Sequence, residues 1–330
     1  MVLPVLRFNF AAPGGNSAAK RDMVSAALDM AAWGDHRGVA AVSIDEHHVT
    51  GHGWSSNPVM TAALFLQRTT NLFLSIDCAL GPLWNPVRLA EDIAFVDAVS
   101  GGRLYTTVGL GYRRVEYEAL QARFDRRGML MDRLLETMLA AWSGRPLVDG
   151  DPQSSIAVGT FSQPHPPLFV GGAVQASARR AVRFGLGLSL PAYLPELAEY
   201  YSTLCQQAAI DPVLIMPARV NRGMIYLCED PDEAWARLGQ HILWEAVVYG
   251  QWSGQSAQSS MHLPGVQTLE EVKSSGRYRF LTPDQLVAEV RDCPDYGSLV
   301  LHPLVGGMPI DEAWKSLHLL TDRVIPQLQG

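Results

Sequence analysis

Asp45, Glu46, His47 and His48 stand together where the apolar run Val39–Ile44 ends. Carboxylates beside imidazoles at one strand end can hold and move protons near neutral pH, or bind a metal ion. Side chains alternate across an extended strand, so only one of His47 and His48 leads into a shared cleft unless the strand has already ended. A zinc site from His47, His48 and His52 is therefore awkward, and the chain carries neither HxH nor HExxH spacing. One histidine then reads as an acid or base lining a mouth, the other as a hydrogen-bonded or solvated residue. A further carboxylate, Asp77, precedes Cys78 at the end of Leu72–Cys78. A cysteine on an apolar strand reads as packing rather than as a nucleophile. Gly109 and Gly111 follow Leu104–Val108 and let backbone approach a flat ligand closely, without the GxGxxG spacing of a dinucleotide site. Gly171, Gly172 and Ala173 pass directly into the helix-period segment Val174–Phe184, with Ser177 one turn inside. Bare amides at a helix start suit a ligand phosphate. A tight turn that simply needs glycine accounts for the same residues equally well.

These groups converge only if strand ends share a rim. Short β-type runs alternate with helix-period segments from end to end, the pattern of a parallel sheet wrapped by helices. Strands are expected at Leu3–Phe8, Val39–Ile44, Leu72–Cys78, Leu104–Val108, Leu168–Val170, Gly187–Leu190, Arg219–Leu227 and Ser298–His302. Helices are expected between them, the clearest carrying Met131, Leu134, Leu135, Met138, Leu139 and Trp142 on one face. Eight βα units over this length, with no compositional boundary, predict an α/β fold: a single (β/α)8 TIM barrel over 1–330. A doubly wound open sheet is the alternative. Residues 146–167 read as an inserted excursion, and 250–276, rich in Ser, Gln and Gly, as an inserted loop or mobile lid. In a barrel of this type, reactive groups sit where strands end and βα loops begin.

Composition narrows the function. The 330 residues include 26 Lys and Arg against 33 Asp and Glu, a formal charge of −7, so a nucleic-acid backbone is an unsuitable partner. Four cysteines without a CxxC pair exclude zinc ribbons and disulfide-stapled folds. No run of 18 apolar residues and no cationic leader occurs, and the chain reads as soluble and cytoplasmic, with no membrane partner.

Longer blocks carry a resemblance. Asp45-Glu46-His47-His48, then Asn85-Pro86-Val87-Arg88-Leu89-Ala90-Glu91-Asp92, then Asp97-Ala98-Val99-Ser100-Gly101-Gly102-Arg103-Leu104 and Val108-Gly109-Leu110-Gly111-Tyr112 occur in this order. In these blocks the chain resembles the luciferase-like flavin-dependent monooxygenases. The resemblance implies reduced flavin mononucleotide (FMN), or in some branches a deazaflavin coenzyme, over the barrel mouth. It places the catalytic histidine at His47 and a non-proline cis peptide under the ring at Asp77–Cys78, with Asp77 a second acid–base candidate. Gly109 and Gly111 would lie by the ring, and the cofactor phosphate would lie at Gly171, Gly172, Ala173 and Ser177. The luciferase branch often has a cysteine and an arginine where Gly109 and Leu110 stand, so light emission is not implied. The implied reaction is oxygenation of a small organic substrate by reduced flavin and oxygen, with a separate flavin reductase as partner and a homodimeric assembly. Deazaflavin-dependent hydride transfer and non-catalytic flavin binding are the alternatives, and a metal-dependent hydrolase is the poorest reading.

Overall fold

The computed structural model describes residues 2–215, 223–252, 259–293 and 295–329. In chain order the first half comprises β1 (Leu3–Phe8), α1 (Ser17–Asp35), β2 (Ala41–Ile44), α2 (Pro58–Arg68), β3 (Phe73–Leu80), α3 (Pro86–Ser100), β4 (Leu104–Gly109), α4 (Arg114–Ala119) and α5 (Arg127–Trp142). The second half comprises β5 (Leu168–Gly171), α6 (Gln175–Phe184), β6 (Gly187–Ser189), α7 (Pro195–Ala208), β7 (Leu214–Ile215), β8 (Met224–Leu227), α8 (Pro231–Trp252) and α9 (Leu269–Ser275). The chain finishes through β9 (Tyr278–Leu281), α10 (Pro283–Arg291), β10 (Ser298–Leu301), α11 (Ile310–Leu319) and α12 (Ile325–Gln329).

The strands form one sheet in the order β7-β6-β5-β4-β3-β2-β1-β10-β8-β9, and every pairing is parallel. The ladder runs in chain order from β7 back to β1 and continues through β10 and β8 to β9, the sequential parallel adjacency of a TIM-type barrel with β9 added beside β8. The fold is α/β, as the alternation predicted. Phe8 of β1 sits opposite Ile44 of β2, and Ile44 opposite Ile76 of β3, so these strands deliver their next residues to one rim. Local chemistry fixes the helices between them. Pro86 opens α3, Asn85 accepts from the amides of Val87 and Arg88, and Gly101 closes the helix in the left-handed region at φ 67°.

Buried Asp35 anchors the turn into β3. Its carboxylate accepts from the amides of Thr70, Asn71 and Leu72 at 2.7–2.8 Å. Burial pushes its pKa up, but the Leu72, Thr70 and Asn71 amides outweigh this and hold it below the usual carboxylate value. A depressed folded-state pKa means that its contribution is complete above about pH 4 and fades as pH falls through the folded value. Asp35→Ala leaves three amides without their acceptor and should cost about 3 kcal/mol or more in urea unfolding at pH 7. The gap from wild type should shrink below pH 4, and a gap independent of pH would contradict the carboxylate's role.

The sheet has ten strands rather than the eight expected. The additional ones are β7 and β9, short segments whose patterns are too brief to stand out. The strand expected at Arg219–Leu227 begins at Met224 within the described residues, and 219–222 lie outside them. The insertion at 146–167 has no helix or strand beyond one isolated bridge, Val148 with Asp151. The expected lid at 250–276 is corrected. Gly250 and Trp252 belong to α8, α9 covers Leu269–Ser275, and residues 253–258 lie outside the described set. Met261, Val266 and Val272 are buried in a second apolar cluster with Trp235, Leu238 and Phe280. The abundance of Ser, Gln and Gly concealed a few apolar residues at the right positions, and the Thr268–Glu271 capping box starts α9. Among the described residues no helix is long and apolar enough to cross a membrane.

Candidate active site

The β2 exit carries the expected histidines, and they turn apart. His47 is 5 % exposed, and its Nδ1 lies 2.9 Å from Oε1 of Glu116, itself fully buried at the start of α4. The same oxygen accepts from the His48 amide at 3.0 Å and from Arg113 Nη1 at 2.8 Å. Burial pushes Glu116 up, yet its bond to His47, followed by the His48 amide and Arg113, holds it below the ordinary glutamate value. An ionised Glu116 accepts only, so this network assigns a proton to Nδ1 and leaves Nε2 as the working nitrogen. Nε2 lies 3.2 Å from the hydroxyl of Tyr112.

His48 turns to Glu46, with Nε2 2.7 Å from Oε1. The other oxygen of Glu46 accepts from the Leu80 amide at 2.6 Å and from Trp84 Nε1 at 3.1 Å, tying the β2 exit to the β3 exit. That bond to Glu46 raises the His48 pKa above its ordinary value. The His48 ring thus belongs to the network that ties the β2 and β3 exits together.

One face of α8 roofs His47. Glu245, Tyr249 and Trp252 recur at i, i+4 and i+7. The His47 ring meets Trp252 at 4.9 Å, Trp54 at 5.5 Å, Tyr112 at 5.6 Å and Tyr249 at 6.5 Å between centroids. Arg113 lies 4.1 Å over the Trp252 ring. The turn is anchored below by ions. Arg7 of β1 pairs with Asp45, whose other oxygen takes Trp54 Nε1 at 2.8 Å, and reaches Glu245 at 3.5 Å. Burial works against the Glu245 charge, but His302 and Arg7 hold its pKa down to about 2.

The β3, β4 and β5 exits build a different surface. The Asp77–Cys78 peptide is cis, where the resemblance placed it, and the β3–β4 register shifts between Asp77 and Ala79. Asp77 touches neither His47 nor Glu116. Its carboxylate accepts from Ser75 at 2.6 Å, Thr107 at 3.0 Å and Ser43 at 3.3 Å, and although the residue is exposed, desolvation by the surrounding protein raises its pKa above the usual value. Burial also pushes the Cys78 thiol up to about 12, so it is not a thiolate at neutral pH. A side chain at Gly109 would collide with Cys78 Sγ, and Gly111 takes φ +71°, the left-handed region. Gly171 ends β5, and a Cβ at Gly172 would collide with Ser177 Oγ. One expectation is amended: the Gly172 amide is occupied by Ser189 O at 3.1 Å, so only amides from Ala173 onward are open to a ligand. Val174 gives α6 no side-chain cap, and the hydroxyl of Ser177, a residue 4 % exposed, has no hydrogen-bond partner among the described residues.

The open amides from Ala173 onward and the Ser177 hydroxyl, at an uncapped helix start, fit a ligand phosphate such as that of a flavin mononucleotide. Among the described residues no group of three or more His, Cys, Asp or Glu could hold a metal ion.

Residues 5–284 match the family described as luciferase-like monooxygenase. The chain belongs to that family. A curated relative, the oxygenase component of the flavin-dependent trigonelline monooxygenase of Acinetobacter baylyi, is 24% identical over 192 residues, 54% of this chain and 53% of the relative. The chain spans about half the length of the curated relatives it matches. Monooxygenase RslO1 from Streptomyces bottropensis has the same fold at TM-score 0.78 and 23% identity, covering 99% of this chain and 100% of that one. The oxygenating constituent of 3,6-diketocamphane monooxygenase from Pseudomonas putida, solved with FMN, follows at TM-score 0.68, 18% identity and coverage of 99% and 98%. An F420-dependent secondary alcohol dehydrogenase shares the shape at TM-score 0.70, 16% identity and full coverage of both chains.

Sequence reasoning missed Glu116 and Tyr249 and gave Tyr112 and Arg113 no role, while Trp252 was legible as an apolar group able to close on a ligand. The i, i+4, i+7 spacing of Glu245, Tyr249 and Trp252 was a usable signal, because it sets a carboxylate and two aromatics on one helix face.

Proposed function

We propose that this chain is the oxygenase of a two-component system. It binds reduced FMN at the β3–β5 exits and oxygenates a small organic substrate, while a separate reductase supplies the flavin. The observation that carries this reading is the His47–Glu116 pair under an aromatic roof at the barrel mouth, together with the uncapped start of α6 at the β5 exit. When bound, the flavin supplies the redox chemistry. The chain does the rest. Ala173–Ala176 amides and Ser177 Oγ hold the phosphate. Trp54, Tyr249 and Trp252 exclude water, and His47 Nε2 gives or takes a proton, with Tyr112 as a relay and Glu116 fixing the tautomer. Asp77, held by three hydroxyls, and Cys78, packed against Gly109, would line the site for the ring.

Deazaflavin-dependent hydride transfer is the second reading, favoured by the F420-dependent dehydrogenase of similar shape. Mass spectrometry separates the two. With a reductase, FMN and 18O2, products formed from a cell extract should gain one labelled oxygen only when the chain is present. Unlabelled products formed with the deazaflavin alone would overturn the oxygenase reading.

A homodimer belongs to the same proposal. The neighbouring helices α2 and α3 each expose an apolar pair at i, i+4, Met60 with Leu64 and Phe95 with Val99. Light scattering on the purified chain should give twice the monomer mass of 36.1 kDa, and Leu64→Lys with Phe95→Lys should halve it.

A further inference from the structure

A cavity of about 370 Å³ opens between the loop after β1 and the loop after β2. Phe10, Ala12, Asn16, Lys20, Met23 and His52 are among its lining residues, and no carboxylate lines it. Lys20, on the second turn of α1, is the one charged group in that lining, and among the described residues no carboxylate lies within 4 Å of its ammonium. Two of its three N–H donors are taken by the carbonyls of Phe10 and Gly53, which ties the two loops together. The third has no acceptor among the described residues. Burial pushes the ammonium pKa down to about 8, with no neighbouring acid to raise it.

The cavity adjoins the proposed site. His52 stacks on Trp252 at 5.2 Å and meets Trp54 at 6.0 Å, the two rings that also pack against His47. Its buried Nδ1 has no hydrogen-bond partner among the described residues. Burial lowers the His52 pKa, so the imidazole is neutral and Lys20 is the cation that an anion would meet. The backbone is constrained around it: Phe10 at φ 61° and Val49 at φ 53° both take the left-handed region, which a β-branched residue rarely adopts.

We propose that this cavity anchors the substrate's carboxylate, with the spare N–H of Lys20 as its charge-assisted donor and Phe10 and Met23 against the apolar remainder. A single cation with no second charge beside it matches a monoanion, and the mixed lining matches a carboxylic acid on an aromatic or aliphatic body. The proposal deepens the oxygenase reading by naming its substrate class, and rests on that reading only for the word substrate.

The test is calorimetric titration of the whole chain, without flavin, with benzoate, phenylacetate and hexanoate and with the three matching carboxamides. At least one acid should bind tenfold or more tightly than its amide. Lys20→Gln keeps donors for the Phe10 and Gly53 carbonyls but loses the charge, and should abolish that preference, whereas Lys20→Arg should retain it within about threefold. No acid preferred over its amide in the wild-type chain would overturn the proposal, as would a preference that survives in Lys20→Gln. FMN and riboflavin form the second arm. Lys20→Gln should leave the preference for FMN unchanged, and its loss would assign the cavity to the cofactor phosphate instead. Because acid binding is read without flavin, its failure and a failure of the oxygenase reading are separate results.

Discussion

Replacing His47 by alanine should lower turnover by about 10²–10⁴-fold while FMN affinity stays within a few fold, because a positioned acid or base contributes that order of rate. The geometry supports a specific division of labour. Nδ1 is committed to buried Glu116, so only Nε2, facing Tyr112 at 3.2 Å, can exchange a proton. No flavin-site glycine touches His47, which is why binding should survive its loss. His48→Ala is the internal control. Its bond to Glu46 braces the Leu80 amide and Trp84, so its loss should reduce stability by about 1–3 kcal/mol with little effect on rate. A raised folded-state pKa places this contribution fully below about pH 6.5, and it fades as pH rises through the folded value. The stability gap between wild type and His48→Ala should therefore narrow above neutrality. Normal turnover in a folded His47→Ala variant would remove the proposed role, and equal rate losses in the two variants would contradict the division between them.

Gly172→Glu should weaken FMN binding at least tenfold, about 1.4 kcal/mol, and riboflavin binding much less. Any side chain at Gly172 collides with Ser177 Oγ, one of the phosphate donors, and a carboxylate adds like-charge repulsion at the uncapped start of α6. Gly172→Ala tests the steric part alone and should fall between wild type and Gly172→Glu. Fluorescence titration with both ligands reads the difference, and thermal unfolding shows whether each variant is folded. Unchanged FMN affinity in a folded Gly172→Glu chain would place the phosphate elsewhere.

Much of the scaffold was legible because it is written in local chemistry. β1 has its expected limits, and α3 is delimited by local signals, Asn85-Pro86 at one end and Gly101 at the other. His47 could be singled out from the strand end it occupies. Its partner could not. Glu116 lies 69 residues away on a six-residue helix with no periodicity to mark it, and only the β2–β3–β4 adjacency brings the two together. The segment from 250 to 276 misled for a related reason. Average polarity is a poor guide when three buried residues, Met261, Val266 and Val272, suffice to fasten a chain to a neighbouring helix and strand. The Gly172 amide shows the limit of motif reading: glycine types announced a phosphate turn, but whether each amide is free depends on Ser189, a residue of the next strand.

The central claim, a flavin oxygenase rather than a deazaflavin hydride-transfer enzyme, is tested most directly by anaerobic titration of the chain with reduced FMN and with the reduced deazaflavin, followed by admission of oxygen. Reduced FMN should bind more tightly than the deazaflavin, and oxygen should then be consumed in proportion to bound flavin. Tighter binding of the reduced deazaflavin, with no oxygen consumed, would contradict the account.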